Sequence, residues 1–223
     1  MNCLWCDQAI MVDVSWFHFL NPSKPKRLCQ ACESQLIKIS GHRCQKCSRS
    51  TTQSICYDCQ RWDNDDPLIM NVSVYRYNER MQEMIAKWKY RGDYTLGYAF
   101  QHDFANGFQQ FFSFIENDTQ IVPIPLSTDR LLERGFNQAK QLADFLPLKQ
   151  NQILERKLTE KQAKKTRRQR LAMKNPFNLL GRINKPVLLV DDIYTTGTTL
   201  RHAARILRAN GCQKIYAYTL IRG

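Results

Sequence analysis

The stretch VLLVDDIYTTGTTL, residues 187 to 200, runs four apolar residues into two adjacent acids, Asp191 and Asp192, and then into a turn of Thr195, Thr196, Gly197, Thr198 and Thr199. A strand that feeds such a turn into a helix gathers backbone N–H groups, threonine hydroxyls and the positive end of a helix dipole around one point. That arrangement is a cradle for a phosphate. The two carboxylates cannot take the phosphate themselves, so they face hydroxyl donors or a metal. A sugar bearing a 5-phosphate meets both demands, with its diol on the acids and its phosphate in the turn. The plainer alternative is that the acids only cap the helix, but a buried acidic pair costs free energy unless it is satisfied.

A second chemistry lies at the start of the chain. Eight of the nine cysteines fall as four CxxC pairs: Cys3/Cys6, Cys29/Cys32, Cys44/Cys47 and Cys56/Cys59. One CxxC turn places two thiolates about a tetrahedral edge apart, and two such turns close a four-thiolate zinc shell with no open position. The pattern predicts two structural zinc sites. Disulfides fit poorly because a cytosolic compartment keeps thiols reduced, and a single redox pair would not need three copies. Pairing in sequence order leaves loops of 22 residues between Cys6 and Cys29 and of 8 between Cys47 and Cys56, while an interleaved cross-brace is the alternative. Cys212 follows Asn210 and Gly211 at a helix end and reads as a small buried hydrophobe.

Those motifs need elements to hold them, and 223 residues at 43% hydrophobic content suffice for one sizeable core with a small accessory module. The expected division is a double zinc ribbon over 1–62 and a second domain over 63–223, with the linker-like RWDNDDP ending at Pro67 as the boundary. IMNVSVYRY (69–77) alternates like a strand, and Met81, Met84, Ile85 and Trp88 repeat as one helix face. Thr95 to Ile115 reads as a second helix with Gly107 as its weak point. IVPIP (121–125) is a short strand, and Leu132, Phe136, Ala139 and Ala143 mark another helix. PVLLVDD is a buried strand of the kind parallel sheets use, followed by a helix over 198–210 and a strand at KIYAYTLI. Strands alternating with helices predict an α/β fold with a parallel, doubly wound sheet.

The formal charge of +13 points to an anionic partner, nucleic acid or a phosphorylated metabolite. Its source is local. Residues 156–170, RKLTEKQAKKTRRQR, hold eight bases and one acid, whereas residues 63–128 are acidic. Lys161, Lys164, Lys165, Arg167, Arg168 and Arg170, with Lys89 and Arg91 of KYRGD, are the candidates for a nucleic-acid backbone. Lys89 and Arg91 equally suit a solvated helix end. Trp88 belongs to the core by its spacing, and Tyr90 is the surface aromatic best placed to stack on a base. No apolar run approaches a membrane span, and the start lacks the pattern of a signal peptide, so the expected location is cytoplasmic.

VLLVDDIYTTGTT is similar to the phosphoribosyl-pyrophosphate (PRPP) motif of type I phosphoribosyltransferases. Together with KYRGD, PIPLSTDRLLERGFNQA (123–139), the spacing of Gln162, Arg170 and Phe177, and the four CxxC pairs, the whole chain resembles the ComF family. That family joins a double zinc ribbon to a phosphoribosyltransferase-like domain. The resemblance is closest to its competence members in naturally transformable bacteria, although a gluconate-utilisation relative shares the layout.

The resemblance implies ribose hydroxyls on Asp191 and Asp192, the 5-phosphate on residues 195–199, and pyrophosphate near Arg134 and Gly135. Zinc occupies the ribbons, and Mg accompanies PRPP if that ligand binds. It further implies single-stranded DNA, a DNA-translocating helicase and a strand-loading protein as partners, at the inner face of the membrane. Two functions of different class are compatible with it. One is a DNA-handling protein for uptake and transformation that keeps a PRPP pocket. The other is an active phosphoribosyltransferase of unknown acceptor, in which Asp191, Asp192 and Arg134 serve catalysis.

Overall fold

The computed structural model describes residues 1–10, 26–62, 66–90, 92–157 and 175–223. Two single-turn helices, α1 (Gln30–Glu33) and α2 (Tyr57–Gln60), belong to the cysteine-rich segment. Then come β1 (Met70–Arg76), α3 (Glu79–Tyr90), a 3-10 turn at Tyr94–Ala99, α4 (Gln101–Phe111), β2 (Gln120–Pro123), α5 (Thr128–Arg134) and α6 (Gln138–Ala143). The chain continues through β3 (Leu154–Arg156), β4 (Phe177–Leu179), β5 (Val187–Tyr194), α7 (Thr198–Ala209) and β6 (Ile215–Arg222). Among the described residues no helix is long and apolar enough to cross a membrane.

Four strands form a parallel sheet in the order β1-β6-β5-β2, and a parallel bridge from Ile121 to Gln150 extends it beyond β2. Side chains alternate across β5, so its apolar run feeds two cores. Leu188 and Val190 join Trp88, Phe104 and Tyr218 on one face, while Val187 and Leu189 join Leu200, Ala203, Ala204 and Leu207 of α7 on the other. A run buried on both sides is what a sheet covered by helices requires. The fold is the expected α/β, phosphoribosyltransferase-like parallel sheet with a cysteine-rich module at the N-terminus.

Helix α3 follows its sequence pattern: Met81, Met84, Ile85 and Trp88 are its buried residues. The single helix expected over 95–115 is instead a 3-10 turn and a separate α-helix. The Asp93 side chain accepts a hydrogen bond from the Leu96 amide and starts the first; α4 begins only after Phe100 and ends at Phe111. Gly107 lies inside α4 at a point where a Cβ would meet the Tyr218 hydroxyl, which donates to the Phe104 carbonyl at 2.7 Å. Likewise the helix expected through Leu132 and Ala143 is two. Gly135 ends α5 in a left-handed conformation, and Asn137 caps α6 by accepting from the Ala139 amide. Leu132 is 80% exposed and packs on nothing in the core.

The cysteine-rich module covers the outer edge of β1. The Ile39 amide donates to the Val74 carbonyl, the Arg76 amide to Ile37, and the Asn71 amide to Lys46. An edge strand is thereby paired rather than left open. Beneath it runs a buried polar chain, in which Ser48 donates to the Asn71 carbonyl, the Asn71 side chain donates to Ser73, and Ser73 bonds Thr219 at 2.7 Å. Cys212 is fully buried, as its position predicts.

Candidate phosphate-binding crevice

The carboxyl ends of β2 and β5 open into one crevice, the usual ligand position in an open parallel sheet. Asp191 and Asp192 are half-buried near the end of β5. The Asp192 amide donates to Asp191 Oδ1 at 2.9 Å, and Lys89, from the last turn of α3, forms an ion pair with Asp192. Burial, reinforced by the neighbouring Asp192 charge, pushes the Asp191 carboxyl up to about 8. Asp191 therefore holds its proton more tightly than an ordinary carboxyl, and Lys89 faces the pair. Such a pair suits sugar hydroxyls, which donate to a carboxylate and accept from a protonated acid.

Beyond the acids the chain turns into α7. Gly197 sits at the N-cap with φ of 75°, and a Cβ there would overlap the Tyr194 hydroxyl and the Arg201 guanidinium. Only glycine combines that backbone with that closeness. Thr196 and Thr198 share a hydroxyl hydrogen bond of 2.8 Å, and the residues of the turn other than Gly197 reach solvent. The first amides of a twelve-residue helix thus point to an accessible space lined with hydroxyls.

Opposite the acids stand arginines. Arg134, at the end of α5, is 8% exposed and donates to Gln138 Oε1 at 3.2 Å. Its Nε and Gln138 Nε2 are buried donors without a partner among the described residues. Unsatisfied buried donors carry a desolvation cost that an anionic ligand would remove. Arg156 on β3 feels Arg130, Arg134 and Asp191 electrostatically; its own burial first, then the two arginines, hold it below the usual arginine range. A cavity of about 390 Å³ adjoins the crevice, lined in part by Pro125, Leu131, Gly135, Phe136 and Leu154.

The cysteines form two groups in sequence order, Cys3/Cys6/Cys29/Cys32 and Cys44/Cys47/Cys56/Cys59, with the sulfurs of each group within 4.8 Å of one another. The Cys6–Cys29 and Cys47–Cys56 sulfurs are 3.7 and 3.6 Å apart. Four sulfurs bound at ~2.3 Å to one zinc stand roughly 3.8 Å apart along the edges of a tetrahedron, so each group can hold a zinc ion. The cross-brace is not formed, and all nine cysteines are free of disulfides.

Comparison with known proteins bears on the whole chain. Residues 131–223 match the family described as "Phosphoribosyl transferase domain". A protein of Bacillus subtilis (strain 168) named "Competence protein ComFC" is 38% identical over 228 residues, covering 99% of this chain and 94% of its own. The chain belongs to the ComF family. A second "Competence protein ComFC", of Streptococcus pneumoniae, is 28% identical with full coverage of both chains. "Competence protein F" of Haemophilus influenzae is 31% identical over 216 residues, covering 87% of this chain and 90% of that protein.

Membership in the ComF family rests on the full length, whereas the phosphoribosyltransferase match runs from the second half of α5 through β6, including the Asp-Asp-turn motif and Arg134. The structure brings Asp191, Asp192, Thr195, Thr196, Gly197, Thr198, Thr199, Arg134 and Gly135 to one end of the sheet. Lys89 joins them through Asp192 rather than standing on open surface. Tyr90 is 66% exposed, with the Arg134 guanidinium 5.4 Å from its ring centre, and Trp88 is buried. Arg91 and Lys161, Lys164, Lys165, Arg167, Arg168 and Arg170 lie outside the described residues. Sequence reasoning did not single out Arg130 or Arg156. Arg156 stood only as the first base of the run 156–170, and no local pattern marked Arg130.

Proposed function

We propose that this ComF protein serves competence by handling incoming single-stranded DNA while its phosphoribosyltransferase-like crevice binds PRPP or a closely related phosphorylated sugar. One observation carries the ligand half: unpartnered buried donors on Arg134 and Gln138 in a crevice that also holds the Asp191–Asp192 pair and the threonine turn. In this reading the acids hold the ribose hydroxyls, the turn holds the 5-phosphate, and Arg134 with Arg156 and Arg130 holds pyrophosphate through charge-assisted hydrogen bonds. Mg, when it accompanies the ligand, supplies charge neutralisation on the pyrophosphate. The nucleic-acid half rests on the names of the relatives and on the eight bases among residues 156–170. A DNA-translocating helicase and a strand-loading protein at the inner face of the membrane are the partners this role calls for.

The second reading, an active phosphoribosyltransferase, is favoured by the cavity of about 390 Å³ beside the crevice, which leaves room for an acceptor. In that case the arginines stabilise departing pyrophosphate electrostatically.

Both halves are tested on the same variants. D191A/D192A is expected to lose PRPP–Mg binding in calorimetry while retaining its fold and at least wild-type affinity for single strands. K164A/K165A/R167A/R168A is expected to weaken single-strand binding and to flatten its salt dependence, which is about −0.7 in log affinity per phosphate contact. Equal PRPP affinity in wild type and D191A/D192A removes the ligand reading. Negligible strand binding near physiological salt removes the DNA reading.

A further inference from the structure

Arg222 closes β6 and is 6% exposed. Its guanidinium joins two places that sequence keeps far apart. Nη2 donates to Cys47 Sγ at 3.7 Å, within the second cysteine group. Nη1 donates to the Tyr194 carbonyl at 3.2 Å and to the Thr195 carbonyl at 3.1 Å, where the threonine turn begins. The guanidinium also lies 5.0 Å from the centre of the Tyr194 ring. Elsewhere the two places are separated by a cleft of about 110 Å³, lined by Cys47, Cys59, Trp62, Thr195, Thr196 and Arg222 among others.

A second connection runs in parallel. Trp62, three residues after Cys59, has the Arg201 guanidinium 4.1 Å from its ring centre. Arg201 in turn donates to the Tyr194 hydroxyl at 2.7 Å and to Asp66 at 2.8 Å. It occupies the space that a side chain at position 197 would need. The turn thus rests on two arginines, and both touch the second cysteine group or the residues just beyond it.

Charge explains why such a bridge would respond to metal. A zinc ion with four thiolates carries a net charge of about −2, and it is the natural partner for a buried guanidinium. Hydrogen bonds from outside a metal shell orient its ligands, and here the same donor group also fixes two carbonyls at the start of a turn. Without the ion the four sulfurs are no longer held together as one compact anion beside Arg222, while the arginine remains buried.

We propose that Arg222 is a positioning residue that couples zinc at Cys44/Cys47/Cys56/Cys59 to the threonine turn, so that the second metal centre sets the order of the turn and its affinity for a phosphorylated sugar. The affinity part rests on the PRPP reading of the turn; the ordering part does not.

The test uses the full chain loaded with zinc and four variants: R222Q, R222K, C56S and C29S. Zinc content, amide hydrogen exchange at residues 194–199 and titration with PRPP–Mg are measured. R222Q is expected to keep both zinc ions, and its exchange at 194–199 should accelerate by roughly tenfold or more through loss of charge-assisted bonds. PRPP affinity should fall by about 10–100-fold. R222K should behave like R222Q, because one ammonium cannot span a sulfur and two carbonyls as a planar fork does. C56S should lose one zinc and accelerate the same amides; C29S should lose one zinc and leave them unchanged.

Native exchange at 194–199 in R222Q or R222K overturns the proposal, as do equal effects of C56S and C29S. Acceleration that reaches β2 in R222Q and R222K alike also overturns it, since the arginine then serves only folding. Wild type that binds no PRPP refutes the PRPP reading instead, and the exchange results still decide the coupling.

Discussion

The two cysteine groups have the same ligands and nearly the same local design. Cys44 and Cys47 follow Cys3 and Cys6 by 41 positions each, and the residue after each pair, Asp7 or Ser48, takes a positive φ of about 60°. In both, the second pair opens a one-turn helix with its first cysteine at the N-cap. Their surroundings differ. In the first group Cys6 is exposed and Cys29 partly so, while Cys3 and Cys32 are buried in one cluster with Leu28, Leu36 and the Met81, Met84 and Trp88 face of α3; at its rim Arg80 Nε donates to Gln35 at 2.6 Å, and the Arg80 guanidinium lies 5.0 Å from the Trp5 ring centre. In the second group all four cysteines are buried, and Ser48 beside it belongs to the polar chain that reaches Thr219 in β6. The same four-cysteine design is therefore seated in two ways. The first packs on α3 with one edge open to solvent, while the second is buried throughout beside the crevice.

The strongest way to break this comparison is to delete one ligand from each group. C44S should lose one zinc and destabilise the chain by about 4 kcal/mol or more, lowering the thermal midpoint by roughly 10 °C, because structural zinc binding is folding free energy. C6S should also lose one zinc but shift the midpoint by less than half as much, since its site already meets solvent. Elemental analysis with calorimetry checks both, and equal shifts would mean that burial does not distinguish the centres.

A finer comparison targets the contacts around the metal. T219V removes a partner from the buried Ser73 hydroxyl and should cost about 1–3 kcal/mol. R80A removes an exposed stack and surface hydrogen bonds, for about 1 kcal/mol or less. Urea unfolding of the two variants would show whether the second centre is the more firmly seated.

The last effect, confined to a pH window, concerns the carboxylates beside the turn, and it isolates their contribution from that of either cysteine group. Asp191 is pushed up to about 8 by burial and by Asp192. A carboxyl raised above its unfolded value of about 3.9 holds its proton more tightly when folded. The stability this confers is complete below that lower value and is lost as pH rises through the higher one. Between pH 7 and 8 wild type should lose about 1 kcal/mol of stability relative to D191N. Parallel pH profiles for the two chains would show that Asp191 titrates near its ordinary value.

Legibility in the sequence tracked the range of the interactions. The apolar run of β5, the Met81–Met84–Ile85–Trp88 face and the Asp-Asp-turn motif are local, and each was readable. The cysteine pairs announced two sites, but which turns join is a three-dimensional question that spacing left open. Continuous helices over 95–115 and 132–143 were expected because apolar spacing persists across Phe100 and Gly135. The first changes from a 3-10 turn to an α-helix at Phe100, and the second is broken by left-handed Gly135 and the Asn137 cap, neither of which apolar periodicity marks. Strands β3 and β4 are three residues each, too short for an alternating pattern to declare itself. Arg156, Lys89, Arg201 and Arg222 gain their meaning from partners dozens of positions away, and no local pattern marks an arginine as a bridge.

The strand order carries a consequence for how the chain is made. Strand β6 lies between β1 and β5, yet it is the last of the six to be synthesised. Until it emerges from the ribosome, the cysteine-rich module with β1 and the β5–β2 pair with its threonine turn are two fragments with no shared strand. Contacts of such sequence separation form late and slowly. Arg222 stands at the end of that closing strand, so the link between the second metal centre and the turn is among the last connections made. The cysteine pairs of a nascent chain can meet early, but the threonine turn gains its seat only when the sheet is whole.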